Sequence, residues 1–512
     1  MSAPAPSRAA ETGAVLRGGV LNMAGALVGA ALNVAIVVAV TRTLSTAEAG
    51  VFFSATSVFV IAAAAASLGC TTGLVYFIAR VRARGAPWLV VRVLRIAFGP
   101  VLAVSALVGA ALYACAPALA EGLLPGAPPH TATYLRTLAP FLPLAVLTDS
   151  CLAATRGLRV MRATVYVERV ARPGAQLALL LAVASSGGAG LLAVAWAGPY
   201  LPAAALAAFW LHRLLRRHPG AAEPAAAGAE TVRPRAFWGF TLPRSLADLA
   251  QINVQRLGIV LVGALQGAAE AAVFTAATRF LVVGQFGNQA LGNAVSPRLS
   301  ELLAVDERAG ARHLYEVSTA WLICVNWPLY LTATVYAPLL LAVFGDGYTE
   351  GAAAMALLAA ALLAATGCGM SDLALTMAGK TVWNLVNQVA ALAVNVALCV
   401  VLVPRLGIAG AALGWAGAIL VRSGLPLLQL RGLGLRPLSR AAAAAAAACL
   451  VWFLLLPLAA QALLGDGLGT AAATLAAAAA GYLATLWRWR AVLSLRELPL
   501  VRRLERWGRA RG

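Results

Sequence analysis

Asp248, Gln251 and Gln255 follow one another at helical spacing in SLADLAQINVQRLGIVLVG, and Arg256 lies eight residues after Asp248 on an overlapping face. Arg279, Gln285 and Asn288 come next along the chain. Asn384, Asn387, Gln388 and Asn395 crowd a later segment, and Asp149, Asp372 and Arg422 stand singly in apolar runs. A guanidinium binds phosphate oxygens bidentately, so Arg256 and Arg279 suit an anionic headgroup such as a diphosphate. The amides of Gln251, Gln285, Asn288, Asn384, Asn387 and Gln388 suit sugar hydroxyls. A carboxyl group withdrawn from water can exchange a proton near neutral pH, which makes Asp149, Asp248 and Asp372 candidates for coupling to protons or sodium. The competing reading is structural: the same groups could serve as interhelical ion pairs and hydrogen bonds that hold helices together. Arg422 reads as snorkelling toward the nearer surface.

The elements that must position these groups are set by composition. Of 512 residues, 61% are hydrophobic and only 11% are charged, with mean hydropathy +0.84. A water-soluble protein of this size cannot cover that much apolar surface. Disorder, a collagen-like fibre and a disulfide scaffold are excluded by the same figures. An all-α integral membrane protein is expected, because helices satisfy every backbone group in lipid. About fourteen spans are predicted at 18–40, 51–77, 96–119, 137–155, 163–184, 191–212, 245–265, 271–296, 315–342, 352–376, 382–402, 408–430, 441–463 and 470–487. The first apolar run is long enough to span and lacks the pattern of a cleaved signal peptide.

Charge orients these spans. The net charge is +20, which by itself would fit nucleic-acid binding. The arginines sit in alternate loops, so they read as topology signals, and no nucleic-acid partner is expected. Of the 39 Lys and Arg, only Arg42, Arg136 and Arg405 fall in segments on the outer side when the N-terminus is placed inside. Both termini are therefore expected in the cytoplasm. The seven cysteines lie in apolar runs without a C-x-x-C pair, and the four histidines stand alone, so no metal site or cofactor is expected.

The chain also repeats itself. AEAGVFFSAT at 47–56 recurs as AEAAVFTAAT at 269–278, with seven of ten positions identical. Leu68-Gly69 recurs as Leu291-Gly292, Asp149 as Asp372, and Trp196-Ala197-Gly198 as Trp415-Ala416-Gly417, each 219 to 223 residues later. The organisation read from this is a tail at 1–17, an N-lobe at 18–212, a cytoplasmic linker at 213–244 and a C-lobe at 245–430. A helix pair at 431–487 and a basic tail at 488–512 follow, the tail suited to a surface of anionic lipid. Six spans per lobe is an even number, so the repeat is parallel, an arrangement that encloses a cleft for alternating access.

The segment TRTLSTAEAGVFFSATSVFVIAAAAASLGCTTGLVYFIAR resembles the span 1–2 region of polysaccharide and oligosaccharide (Wzx-like) flippases of the multidrug/oligosaccharidyl-lipid/polysaccharide exporter superfamily. NAVSPRLSEL, VFGDGYTEGAAAM and VPRLGIAGAALGWA continue the likeness through residue 430. The resemblance implies a fourteen-helix, two-lobed exporter in the bacterial cytoplasmic membrane. It implies an undecaprenyl-diphosphate-linked oligosaccharide as substrate, moved between leaflets, with membrane lipids and glycan-assembly enzymes as further partners. Members often carry Asp-Arg where this chain has Gln255-Arg256. A cation-coupled multidrug exporter of the same superfamily is the nearest alternative, although those usually have twelve spans. A glycan polymerase or ligase would need a reactive outer loop, and the longest one here holds only Glu121, His130 and Arg136, so an enzyme is not expected. A non-transporting assembly scaffold is the remaining alternative.

Overall fold

The computed structural model describes residues 8–84, 86–123, 130–183, 189–217, 232–431, 434–435, 437 and 439–494. Among these residues there is no β-strand. Among the described residues, ten helical segments are long and apolar enough to cross a membrane, the first at Ala24–Thr43 and the last at Leu468–Arg488. The other four expected spans also fall on helix. They are the ones that carry Glu168 and Arg172, Gln251 and Arg256, Arg279 and Gln285, and Asn326, and polar groups of this kind are what lowers their hydropathy.

The helices divide into two compact units, Met1–Ala272 and Val273–Gly512. The first unit contains α1 (Arg8–Thr43), α2 (Thr46–Ala66), α3 (Cys70–Ala83), α4 (Leu89–Ala114), α5 (Ala116–Leu123) and α6 (Thr131–Leu138). It continues with α7 (Leu142–Gly157), α8 (Arg162–Thr164), α9 (Arg172–Val183), α10 (Ala189–Ala197), α11 (Tyr200–Arg217) and α12 (Pro234–Gln266). Next, α13 (Ala268–Val283) begins at the end of the first unit and runs into the second. The second unit goes on with α14 (Gln285–Ala304), α15 (Arg308–Val335), α16 (Ala337–Ala342), α17 (Ala352–Gly367) and α18 (Ser371–Met377). It ends with α19 (Thr381–Leu406), α20 (Ile408–Gln429), α21 (Arg440–Leu450), α22 (Leu456–Leu464) and α23 (Leu468–Arg488).

Local chemistry sets the breaks. Ser45 caps α2, and Glu48 reaches back to Ser45 to complete a capping box. The expected second span is broken between α2 and α3, where Leu68 and Gly69 take φ of 48° and 67°. A side chain at Gly69 would meet the Thr241 carbonyl and Ser245, so this turn lets α12 pack against the break. Seven residues, Val165–Ala171, wind as a π-helical turn between α8 and α9. Such turns widen the helix and displace the side chains that follow.

In the first unit α7 packs against α3, α4 and α11, while α12 packs on α2 and α3. In the second, α19 and α20 form a tight hairpin, α17 packs on both α15 and α20, and α21 lies along α15. Gly410, Gly414 and Gly417 line the face of α20 that meets α19. Small residues at such crossings bring the backbones close and raise dispersion contact, the main attraction between helices in lipid.

Three expected boundaries shift. Helix α1 starts at Arg8 rather than near residue 18, because the preceding Ala, Glu, Leu and Arg residues are good helix formers. Helix α11 runs through Arg217, and α12 begins at Pro234, so both ends of the expected 213–244 linker are helical. Pro234 fits there because the first helical position needs no N–H. The middle of that linker, 218–231, and the tail beyond Ser494 lie outside the described residues. The division between units falls after Ala272, which places α12 with the first unit.

Candidate functional site

A cavity of about 390 Å³ opens within the first unit, where α2, α3, α7, α11 and α12 come together. Its polar lining includes Ser67, Asp149, Tyr200, Ser245, Asp248 and Gln251. Asp149 projects from the middle of α7 and is exposed to this space, whereas its neighbours Thr148 and Ser150 are buried. An acid surrounded by helices but open to a polar cavity can reach water or an ion without facing lipid.

Behind Asp149 lies a second layer of charge. Arg172, the first residue of α9, donates to the Tyr200 hydroxyl at 3.0 Å. Its guanidinium also sits 4.8 Å from the Tyr200 ring centroid. Glu168, in the π-helical turn, pairs with Arg156 of α7 at 3.8 Å. Asp149 is within electrostatic range of Glu168, Arg172 and Arg156. Tyr200, 8% exposed, also lies in the field of Arg256 from α12. Two acids and three guanidinium groups thus share one region of the first unit. The π-helical turn is what carries Glu168 and Arg172 there.

At the other edge of the cavity, Asp248 pairs with Arg244 one turn earlier, at 3.6 Å. The Thr72 hydroxyl of α3 donates to Asp248 at 3.5 Å. Gln251 follows on the same face of α12 and is exposed. Asp149, Asp248 and Gln251 therefore converge on one cavity, and Arg256 lies on the same helix as the last two.

The candidate residues of the second unit are placed differently. Asn387 is buried and forms a reciprocal amide pair with Gln429, each donating to the other at 2.8 Å. Asn288 accepts a hydrogen bond from Asn326 at 3.1 Å. Asn384 donates to the Thr376 hydroxyl at 2.9 Å, while its Oδ1 has no partner among the described residues. Gln388 is buried, with Oε1 likewise unpartnered among them. Asp372 lies in the first turn of α18 and accepts from the Leu373 backbone N–H at 2.8 Å. Arg279 of α13 and Gln285 at the start of α14 are half-buried. Asn395 is fully buried within α19. Arg422, on α20, is half-buried. Among the described residues no group of three or more His, Cys, Asp or Glu could hold a metal ion.

Glu168, Arg172 and Tyr200 are functional candidates that the sequence reading passes over. Their one signal is a Glu and an Arg four residues apart inside an apolar span. Arg169 and Arg172 read there as topology charges near the cytoplasmic side.

No protein-family model matches this chain, and no curated protein matches it in sequence. Solved structures do match in fold. A lipid II flippase, MurJ, in an inward closed conformation superposes with a TM-score of 0.72 at 10% identity, covering 93% of this chain and 100% of its own. An inward-facing multidrug resistance MATE family transporter of the MOP superfamily gives 0.61 at 16% identity, covering 81% and 99%. A MOP superfamily transporter from Pyrococcus furiosus gives 0.56 at 17% identity, covering 83% and 96%. At these identities the likeness establishes the fold alone, an all-helical fold shared with these transporters.

Proposed function

We propose that this protein is a flippase that moves a diphosphate-linked glycan lipid across the bacterial cytoplasmic membrane by alternating access. The observation that carries the reading is the cavity of about 390 Å³ lined by Asp149, Tyr200, Asp248 and Gln251 within the first helical unit. Charge within a membrane protein is costly unless it is paired or turned toward a wet cavity or passage. A fold likeness that reaches 93% of the chain for the lipid II flippase agrees with this reading, and the likeness to the multidrug transporter over 81% of the chain keeps the exporter as the alternative.

In this reading Arg256 and Arg279 bind the diphosphate, and Gln251, Gln285, Asn288, Asn384 and Gln388 meet sugar hydroxyls. Asp149 is the principal coupling group for a proton or a sodium ion, with Asp248 and Asp372 as further candidates. The arginine distribution orients the protein with both termini in the cytoplasm, so the headgroup is captured from the inner leaflet.

The test is mass spectrometry of lipid extracts from a deletion strain beside its parent. An undecaprenyl-diphosphate oligosaccharide should accumulate on the inner face and disappear when the intact gene is restored. Restoration by a chain carrying Arg256→Ala and Arg279→Ala would overturn the headgroup assignment. The second reading, a multidrug exporter, rests on the MATE likeness at TM-score 0.61. It predicts an unchanged lipid profile and increased drug sensitivity in the deletion strain.

A further inference from the structure

Tyr76 of α3 and Phe240 of α12 stack with ring centroids 4.4 Å apart and planes within 19° of parallel. The stack covers one face of each ring. The residues nonetheless remain 43% and 39% exposed. Phe77 holds the pair from below, edge-on to Tyr76 at 5.2 Å and to Phe240 at 5.8 Å. Phe237 in turn packs on Phe77 at 5.2 Å and is fully buried. Gly73, facing Phe237 and Thr241, lets α3 and α12 approach closely enough for this stack to form. Two large aromatic rings are thus packed on each other and on Phe77 yet left partly exposed.

What surrounds them is not lipid-like. Phe240, Arg244, Asp248 and Gln251 recur at four, four and three residues along α12, so they share one face. Thr72 and Tyr76 share a face of α3 by the same spacing. Arg244 and Asp248, joined at 3.6 Å, keep side chains 47% and 39% exposed, and Thr72 joins Asp248 at 3.5 Å. Charged groups on an exposed face favour water over hydrocarbon. Asp248 and Gln251 belong equally to the lining of the cavity. The strip therefore runs from an aromatic platform, past a hydroxyl, a guanidinium, a carboxylate and an amide, into the polar space that holds Asp149.

This combination matches one chemical class. A pyranose ring has an apolar face of C–H bonds and a rim of hydroxyls. An aromatic ring with its negative face accepts the first, and carboxylate, guanidinium and amide groups in fixed positions bind the second. We propose that the Tyr76–Phe240 stack is a saccharide platform on which a sugar of the headgroup lies, its hydroxyls held by Arg244, Asp248, Gln251 and Thr72. The proposal rests on the glycan-lipid reading above and adds to it a place for one sugar on the first unit.

The experiment measures binding to the full-length protein in nanodiscs. One probe is farnesyl diphosphate. The others are farnesyl diphosphate carrying a single glucose, galactose, mannose or N-acetylglucosamine. At least one sugar-bearing probe should bind more tightly than the bare diphosphate. Tyr76→Ala and Phe240→Ala should each weaken that probe about fivefold or more, as loss of an aromatic anchor does, and leave the bare probe unchanged. Tyr76→Phe and Phe240→Tyr should retain the preference. Tyr76→Leu and Phe240→Leu replace any alanine variant that fails to fold, and they should behave as the alanine variants do. Unchanged sugar preference in the alanine or leucine variants would overturn the platform, as would equal loss of both probe types. Wild-type protein that binds the bare probe and the whole sugar panel equally would also overturn it, with the diphosphate assignment intact. Failure of the wild type to bind any probe would remove the glycan-lipid reading itself, and the platform with it.

Discussion

The Arg172 guanidinium donates to the Tyr200 hydroxyl at 3.0 Å and lies 4.8 Å from the centre of the same ring. One tyrosine thus engages the cation with both its hydroxyl and its π face. Arg172 also offsets the charges of Asp149 and Glu168. Removing it leaves Arg156 to offset Asp149. Arg172→Ala removes the hydrogen bond to Tyr200 and the ring contact and is expected to destabilise the protein by about 2 kcal/mol, as losing a hydrogen bond from a charged group does. Tyr200→Phe keeps the ring and loses only the hydrogen bond, about 1 kcal/mol. Thermal unfolding in detergent should rank wild type above Tyr200→Phe and Tyr200→Phe above Arg172→Ala. An Arg172→Ala protein as stable as wild type would show that the acids do not need this counter-charge.

Asp149→Asn preserves shape and removes the charge that faces the cavity. If Asp149 couples transport to an ion, the variant should still move substrate down its own gradient. Imposed pH or sodium gradients should no longer accelerate it. Reconstituted vesicles with and without each gradient give the measurement. A variant that responds to a gradient as the wild type does would assign coupling elsewhere, with Asp248 and Asp372 the next carboxylates to test.

Gly50 lies where α2 passes the start of α13. A Cβ there would run into the backbone of Ala268, carbonyl included, and backbone cannot swing aside as a side chain can. Gly50→Ala should therefore cost about 2–3 kcal/mol by overpacking. Gly50 is matched in the repeat by Ala272, which is itself fully buried. Ala272→Gly removes one methyl group and should cost about 1 kcal/mol. Melting followed by size-exclusion chromatography separates the two. Equal stability of both variants would refute the close approach at Gly50.

Asn387 and Gln429 exchange two hydrogen bonds of 2.8 Å between α19 and α20. That geometry is a clamp between helices. Alanine at either position should lower stability, and a double-mutant cycle should give a coupling of about 0.6–1.7 kcal/mol, the range for such bonds in membranes. Transport per folded molecule should be unchanged. A transport defect without a stability defect would return Asn387 to the substrate site.

The fold was largely legible because lipid leaves the chain few options. A long apolar run must be helical there, and the duplicated pattern carries over into packing. Phe52 meets Trp196 at 6.5 Å in the first unit, and their repeat equivalents Phe274 and Trp415 meet at 6.4 Å in the second. The ends of α1 and α12 are not legible, because hydropathy marks the apolar length, and α1 continues past it on helix propensity while α12 does so by packing Phe237 and Thr241 against α3. Asp149, Asp248 and Gln251 stand out in the sequence as polar residues in apolar runs. Their convergence on one cavity depends on the turn at Leu68 and Gly69 and on the path of α12, which no spacing rule reveals. Arg172 was harder still. In the sequence it is one arginine among many at a helix end, and only the π-helical turn and the partner 28 residues later, Tyr200, give it a place in the site.

Cys115 provides a direct test of orientation. It is exposed at the end of α4, and the other cysteines are buried or half-buried within the helical body. The arginine distribution places that end of α4 on the outer side. A membrane-impermeant maleimide added to intact cells should therefore label the protein mainly at Cys115, and Cys115→Ser should remove most of the signal. The thiols in apolar packing should react slowly by comparison, since a thiol shielded from water rarely forms the reactive thiolate. If Cys115 labels only after the cells are permeabilised, the orientation is the reverse of the proposed one. The Tyr76–Phe240 platform would then face the outer leaflet, where it would serve release of the glycan instead of its capture.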